Sequence, residues 1–285
     1  MKNENQNNAH PIGDGHPIRA IIALAAPMLA GALLQNAQSL IDLFWVGRLG
    51  SQAVAAVSIS GAVLMLLFPM LMGLCTGTVA LVARCVGARN YEEASHVASQ
   101  SILLAIVLGA VSALVGWHYT DGLLQMLGAG PDLMRDGHDY LRISLLGSIT
   151  VFLLFMGNAA LQGAGDAMTP MYIMGISNVL NIALDPLFIF GLGPFPAMGV
   201  KGAAVATLIA QGVAAGLSVF VLLTGRARLH IRVDQWKPDL ALSWRILRIG
   251  IPGSGQMLSR SLMGAVMMRI VAGAGSAAVA AYGTG

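Results

Sequence analysis

Asp42 and Asp185 are the only two of thirteen acidic residues that lie inside long apolar runs; the other eleven sit in the N-terminal tail, in predicted loops or at helix ends. A carboxylate at helix depth in a bilayer costs about 2.5–3.5 kcal/mol on insertion scales, and such residues usually face a bundle interior or a wet cavity on an ion or proton path. Two carboxylates sharing a poorly solvated pocket cannot both stay ionised cheaply. A proton, or a sodium ion held by carboxylate, amide and hydroxyl oxygens, relieves that repulsion. Either cation turns charge neutralisation into a conformational signal. The chemistry to look for is therefore reversible cation binding.

The companions of both residues fit that chemistry. Gln35, Gln38 and Asp42 are spaced i, i+3, i+7, which places them on one face of a helix. Asn181 and Asp185 are spaced i, i+4, and Pro186 follows, freeing a backbone carbonyl that Asn181 or water can help satisfy. Thr207 lies in the run Lys201-Gly202-Ala203-Ala204-Val205-Ala206-Thr207. At 1.5 Å rise per residue, Asp42 lies roughly 8 Å from the helix end at Gly47-Arg48, Asp185 roughly 9–12 Å from Gly191–Gly193, and Thr207 roughly 9 Å from Lys201. The three groups can share one layer. Competing readings are that Asp42 or Asp185 snorkels to the nearby interface, and that Thr207 only bonds its own backbone.

The elements that must position them are membrane helices. The chain is 56% hydrophobic and 10% charged, against about 25% charged in soluble proteins. Repeated apolar stretches of about 20 residues or more are the transmembrane signature. They predict seven helices near 18–46, 53–82, 96–118, 138–162, 169–192, 202–224 and 244–272, in an all-α membrane protein. Gly73 and Gly77 form a GxxxG spacing that lets helices approach closely. The basic residues sort by side. Lys2, Arg19, Arg84, Arg89, Arg226, Arg228, Arg232, Lys237, Arg245 and Arg248 fall on the N-terminal side, and Arg48, Arg135, Arg142 and Lys201 on the other. Ten against four predicts a cytoplasmic N-terminus in the inner (plasma) membrane. Sorted in this way, a net charge of +3 is no sign of a nucleic-acid partner.

Other chemistry finds little support. Cys75 and Cys85, and six histidines in the tail or near helix ends, lack metal-ligand spacing, so no metal site is expected beyond a monovalent sodium ion at Asp42 and Asp185. No phosphate-binding G-x-x-x-x-G-K-[ST] loop occurs, and no nucleophile–base pair suggests an enzyme. No cofactor is expected; the coupling ion is a proton or sodium.

An internal repeat organises the chain. With an offset of 225, Pro27 falls on Pro252, Leu33 on Leu258, Val46 on Val271 and Gly50-Ser51 on Gly275-Ser276. Ala53-Val54-Ala55-Ala56 falls on Ala278-Val279-Ala280-Ala281. Six helices separate equivalent positions, so the copies enter the membrane in the same direction, as in transporters built of parallel repeats. The expected domains are a polar tail (1–17), a six-helix lobe (18–224), an inter-lobe linker (225–243) and the start of a second lobe (244–285). The linker reads as a polar loop whose basic residues could meet anionic lipid. On this reading the chain is a fragment of a protein of about 450 residues.

Several strings, taken together, resemble the multidrug and toxic compound extrusion (MATE) family. They are Ala26-Pro27, Asp42-Leu43-Phe44-Trp45-Val46-Gly47-Arg48-Leu49-Gly50, Gly87-Ala88-Arg89-Asn90-Tyr91-Glu92-Glu93-Ala94, and Gln162-Gly163-Ala164-Gly165-Asp166. Most specific is Asn181-Ile182-Ala183-Leu184-Asp185-Pro186-Leu187-Phe188-Ile189-Phe190-Gly191, followed by Gly199-Val200-Lys201-Gly202-Ala203-Ala204. The resemblance implies a twelve-helix, two-lobe antiporter that exports cationic or amphiphilic organic compounds in exchange for protons or sodium. It implies a cation site of Asp42, Asn181, Asp185 and Thr207. A fourth-helix Asn of archaeal relatives falls on Phe155, with Asn158 one turn away. The second-lobe counterpart of Asp42 is Met267, and that of Gln35 is Arg260. Gln35, Gln38, Asn158 and Arg260 are candidate cavity-lining residues. The expected partners are small organic cations or amphiphiles, the lipid bilayer and the second lobe. The rival readings are a lipid-linked saccharide flippase of a related two-lobe type, which needs a more basic cavity, and a fragment that transports nothing by itself.

Overall fold

The computed structural model describes residues 17–192, 195–225, 229–231 and 236–273. The tail before residue 17, the repeat string after residue 273, and the side chains of Arg260 and Met267 lie outside the described residues. Among the described residues eight helices follow one another: α1 Pro17–Gly47, α2 Ser51–Gly87, α3 Tyr91–Met126, α4 Pro131–Leu146, α5 Ser148–Gly163, α6 Met168–Phe190, α7 Val200–Thr224 and α8 Leu240–Gly273. Among the described residues there is no strand. Four helices (α2, α3, α6 and α7) are long and apolar enough to cross a membrane, and the bent pair α4–α5 makes a fifth span. The chain is an all-α, multi-pass membrane protein. Helices α1 and α8, also expected to cross, cover their predicted spans but are not among those five.

Helix ends follow local chemistry. Asn90 caps α3: its Oδ1 accepts from the Glu93 backbone N–H at 3.1 Å while its Nδ2 donates to Glu93 Oε2 at 2.9 Å. The first bond satisfies one orphan backbone donor, and the second holds the Glu93 carboxylate at the helix N-terminus. Pro131 opens α4, where a missing N–H costs nothing. Left-handed Gly191 ends α6, and a Cβ there would lie 2.4 Å from the Ala197 nitrogen. Helices α2 and α3 run several residues beyond the predicted 53–82 and 96–118, because Arg84, Glu92, Glu93 and Asp121 decorate helix ends rather than stop them.

The single helix expected at 138–162 is two. The pair α4–α5 bends by 45° around Gly147. Thr150 Oγ1 donates to the Gly147 carbonyl at 2.7 Å, and a Cβ on Gly147 would meet Leu208 of α7 at 2.5 Å. A glycine followed by serine and threonine, with a side chain filling the elbow, is an ordinary cause of a kink. Because of it, α4 turns Tyr140 toward α1, α6 and α7.

Glycine also governs how the helices meet. A Cβ on Gly202 of α7 would lie 2.5 Å from the Phe188 carbonyl oxygen of α6, so those helices touch backbone to backbone. The GxxxG pair of α2 is used in the same way against α8. A Cβ on Gly73 would meet the Gly250 carbonyl at 2.4 Å, and one on Gly77 the Ile246 carbonyl at 2.5 Å. The largest core cluster joins α2, α3, α5 and α7 through Val82, Val97, Ile102, Leu154, Leu161 and Leu222.

The connection from α7 to α8 is more than a polar loop. Leu229 and Ile231 are buried in the main core, and Trp236 packs against it. Buried Gln100 of α3 clasps the other end: its Nε2 donates to the Lys237 carbonyl at 2.8 Å, and its Oε1 accepts from the Asp239 N–H at 3.0 Å. Asp239 then caps α8, accepting from the Leu242 N–H at 3.0 Å. That bond, aided by nearby His96, holds its carboxyl below the usual carboxylate range. Helix α8 accordingly starts at Leu240, four residues before the predicted 244.

Two outcomes test this packing. A Cβ built on Gly253 lies 3.8 Å from Thr76 Cβ, within the disulfide range. Thr76→Cys with Gly253→Cys, in a background of Cys75→Ala and Cys85→Ala, should cross-link under mild oxidant, and absence of the cross-link would refute the α2–α8 packing. Gln100→Leu leaves the Lys237 carbonyl and Asp239 N–H unpaired and should cost about 1–3 kcal/mol. Limited proteolysis should then cut the 225–239 connection faster than in the parent.

Candidate functional site

Helix α6 supplies the centre. Asn181 and Asp185 share its inner face, and both are fully buried (0% exposed). Asn181 Nδ2 donates to Asp185 Oδ1 at 3.3 Å and to Thr207 Oγ1 of α7 at 3.3 Å. Thr207 Oγ1 donates in turn to the Ala203 carbonyl at 3.0 Å. Thr207 therefore bonds its own backbone and faces the site as well; the two readings of it are compatible. From α1, Asp42 comes within hydrogen-bonding reach of Asp185. With both groups ionised neither can donate, so the pair meets as acceptor against acceptor. Neither carboxylate turns to lipid: the snorkelling readings of Asp42 and Asp185 do not hold.

The oxygen census defines what the site lacks. Asp42 Oδ1, Asn181 Oδ1 and Asp185 Oδ2 are buried with no hydrogen-bond partner. Asn178 Oδ1, one turn earlier on α6, is a fourth. All four are acceptors. Buried, unpaired polar atoms are rare in folded proteins and costly, so each calls for a donor or a cation. Two unpaired donors, Trp45 Nε1 and Trp236 Nε1, also occur. Trp45 packs edge-on to Phe190 and lies beneath the Arg48 guanidinium, while Trp236 sits in the α7–α8 connection.

Tyr140 was not among the residues singled out from the sequence. Delivered by the α4 bend, its phenol lies close enough to feel the charge of both Asp42 and Asp185. Nothing in local spacing marks it, since the bend that brings it there is a tertiary feature. Asn178, by contrast, carried a readable signal: Asn178, Asn181 and Asp185 are spaced i, i+3, i+7.

The site lies between an apolar cluster and a cavity. One turn beyond the polar layer, Val46, Ile189, Val200 and Ala203 form a buried apolar cluster with Ala53. This plug separates the carboxylates from the 48–50 end of the bundle. On the other side, Tyr140 and Thr207 line a cavity of about 260 Å³ between α1, α2, α4, α5 and α7. A second cavity of about 270 Å³, lined by Pro27, Met28, Asn158, Gln162, Met171 and Met174 among others, shares Gln35, Phe68 and Phe155 with the first. Phe68 and Phe155 meet edge to face at 6.4 Å on that shared boundary. Among the described residues, neither lining contains a charged side chain.

The other expected lining residues divide. Gln35 borders both cavities. Asn158 borders the second, where its Oδ1 accepts from Ser218 Oγ at 3.4 Å. Gln38 is buried on α1, one turn before Asp42, and lines neither cavity. The Arg260 side chain lies outside the described residues. Among the described residues no cluster of three His, Cys, Asp or Glu side chains occurs.

Comparison with known proteins accords with this architecture. The MatE family model matches residues 27–187. A FAD transporter of Shewanella oneidensis is 31% identical over all of this chain and 62% of its own length. The probable multidrug resistance protein YoeA of Bacillus subtilis is 34% identical, over 93% of this chain and 58% of the relative. A multidrug resistance MATE family transporter of the MOP superfamily, solved in an outward-facing conformation, superposes with a TM-score of 0.82 at 34% identity, covering 92% of this chain and 57% of that one. The chain thus spans about 60% of the length of these relatives. With the family model covering more than half of its residues, the chain belongs to the MatE family of MATE transporters.

Proposed function

We propose that this chain forms the cation-coupling lobe of an antiporter that exports cationic or amphiphilic organic compounds in exchange for protons or sodium ions. The observation that carries the reading is the meeting of Asp42 with Asp185 beside Asn181 and Thr207, in a layer whose oxygens outnumber its donors. In the whole protein, a cation bound from outside neutralises the pair and lets α1 and α6 close on each other. The adjoining cavity, which shares Tyr140 and Thr207 with the site, changes shape in response and releases its organic ligand. Return to the inward-facing state then delivers the cation to the cytoplasm. The balance of basic residues supports a cytoplasmic N-terminus and an outer 48–50 turn, in the inner (plasma) membrane.

The cavity linings support the substrate class. Phe68, Phe155 and four methionines (Met28, Met72, Met171 and Met174) offer polarizable and aromatic faces, and Gln35, Asn158, Gln162 and Gln211 offer amides. Such surfaces accept flat amphiphiles and delocalised cations. The FAD transporter relative raises a nucleotide as cargo, and the flippase reading a pyrophosphate-linked sugar. Both ligands carry pyrophosphate, for which the described lining residues hold no basic side chain, the Arg260 side chain lying outside them. A second lobe completes the binding cleft on this reading.

The test is dye efflux from proteoliposomes holding the full-length protein, driven by an imposed proton gradient and separately by a sodium gradient. Asp42→Asn and Asp185→Asn should each abolish coupled efflux while leaving membrane insertion intact. The double variant should be no worse than either single one, because the two carboxylates act as a unit. Thr207→Val, which removes a partner of Asn181 but no charge, should weaken coupling less. Normal export by both aspartate variants would refute the assignment.

A further inference from the structure

The α1–α6 interface carries polar groups well beyond the aspartate pair. Both helices run in the same direction and keep a common register along their contact. Asn178 Nδ2 of α6 donates to the Leu34 carbonyl of α1 at 2.9 Å. Two turns further on, Asp42 meets Asp185. Between these layers lie buried Gln38 on α1 and Asn181 on α6. The seam thus reads Leu34, Gln38, Asp42 against Asn178, Asn181, Asp185, a polar ladder about 10 Å long at 1.5 Å per residue.

Asn178 is its unexplained rung. The residue is only 4% exposed. Its amide nitrogen is fixed on α1, which leaves Oδ1 in the same interface, buried and without a partner. Proton uptake at the aspartates cannot satisfy this atom, because a proton on a carboxyl roughly 10 Å away along the axis is out of reach. An amide oxygen, moreover, takes no proton of its own at physiological pH. A donor-poor carbonyl oxygen in line with two carboxylates, in a weakly polarisable interior, is instead a place where a cation gains energy.

We infer that Asn178 Oδ1, with Gln38 and Asn181 alongside, forms a second station for a desolvated monovalent metal cation, one step toward the 88–90 end from the Asp42–Asp185 pair. The inference rests on the cation-coupling reading above and adds to it the route by which the ion leaves. An ion released from the aspartates passes to amide oxygens, which hold it loosely enough to let it go. The apolar plug of Val46, Ile189, Val200 and Ala203 blocks the opposite direction within the lobe.

The experiment uses the full-length protein and radioactive sodium. Equilibrium binding reports on the aspartate pair, and sodium-gradient-driven flux in proteoliposomes reports on the route. Asn178→Leu, branched alike at Cγ and lacking the oxygen, should leave sodium affinity within about twofold and lower flux about tenfold or more. Asn178→Asp, which keeps oxygen at the station and adds charge, should hold sodium longer and slow its dissociation about tenfold. Flux within twofold of the parent in Asn178→Leu, with unchanged sodium release in Asn178→Asp, would mean that the oxygen binds only water, and would overturn the inference. A parallel loss of affinity and flux in Asn178→Leu would also overturn it, since Asn178 would then act only by anchoring α1 at Leu34. Failure of the underlying reading looks different: sodium-coupled flux would survive Asp42→Asn.

Discussion

A shortage of hydrogen-bond donors between α1 and α6 is the constraint around which this lobe is arranged. Four buried oxygens, on Asp42, Asn178, Asn181 and Asp185, have no partner. A soluble protein would flood such a seam with water or replace it with apolar side chains. In a membrane helix each oxygen is costly to keep without a donor or a cation. The surrounding features serve that need. The Gly202–Phe188 contact draws α7 close enough for Thr207 to reach Asn181, and the Gly147 bend brings Tyr140 to the carboxylates.

On the proposed reading, the same geometry joins ion and organic ligand without direct contact between them. Thr207 and Tyr140 belong to the polar layer on one side and to the cavity wall on the other. On the proposed reading, filling the layer with a cation changes how α1, α6 and α7 pack, and with it the wall. Coupling then has a short physical path: one hydroxyl, one phenol and the helices that carry them. Far from this path, Gln100 and the buried Leu229 and Ile231 fasten the α7–α8 connection to α3, and the Gly73–Gly250 crossing holds α8 on α2. These contacts fasten the start of α8 to α2 and α3.

Much of this was legible in the residues. Membrane helices announce themselves by long apolar runs, and a carboxylate inside one stands out by its cost alone; Asp42, Asn181, Asp185 and Thr207 were identified in that way and do come together. Asn178 was equally readable from its i, i+3, i+7 spacing but lacked a charge to draw notice. Other features were not local. The break at Gly147 depends on Leu208 of a distant helix filling the elbow, and Tyr140 follows from that break. Burial of Leu229 and Ile231 was hidden because they alternate with arginines in a stretch whose composition reads as solvated. Composition speaks for the average of a segment, whereas packing selects its alternate residues.

The most direct test of the central claim is the sodium affinity of the full-length protein as a function of pH. Oxygens that hold the metal as carboxylates lose it when they take a proton. Sodium binding should therefore be saturable and should weaken steadily as the solution is acidified, each cation excluding the other. An affinity independent of pH, or no saturable binding of sodium at any pH, would contradict the account.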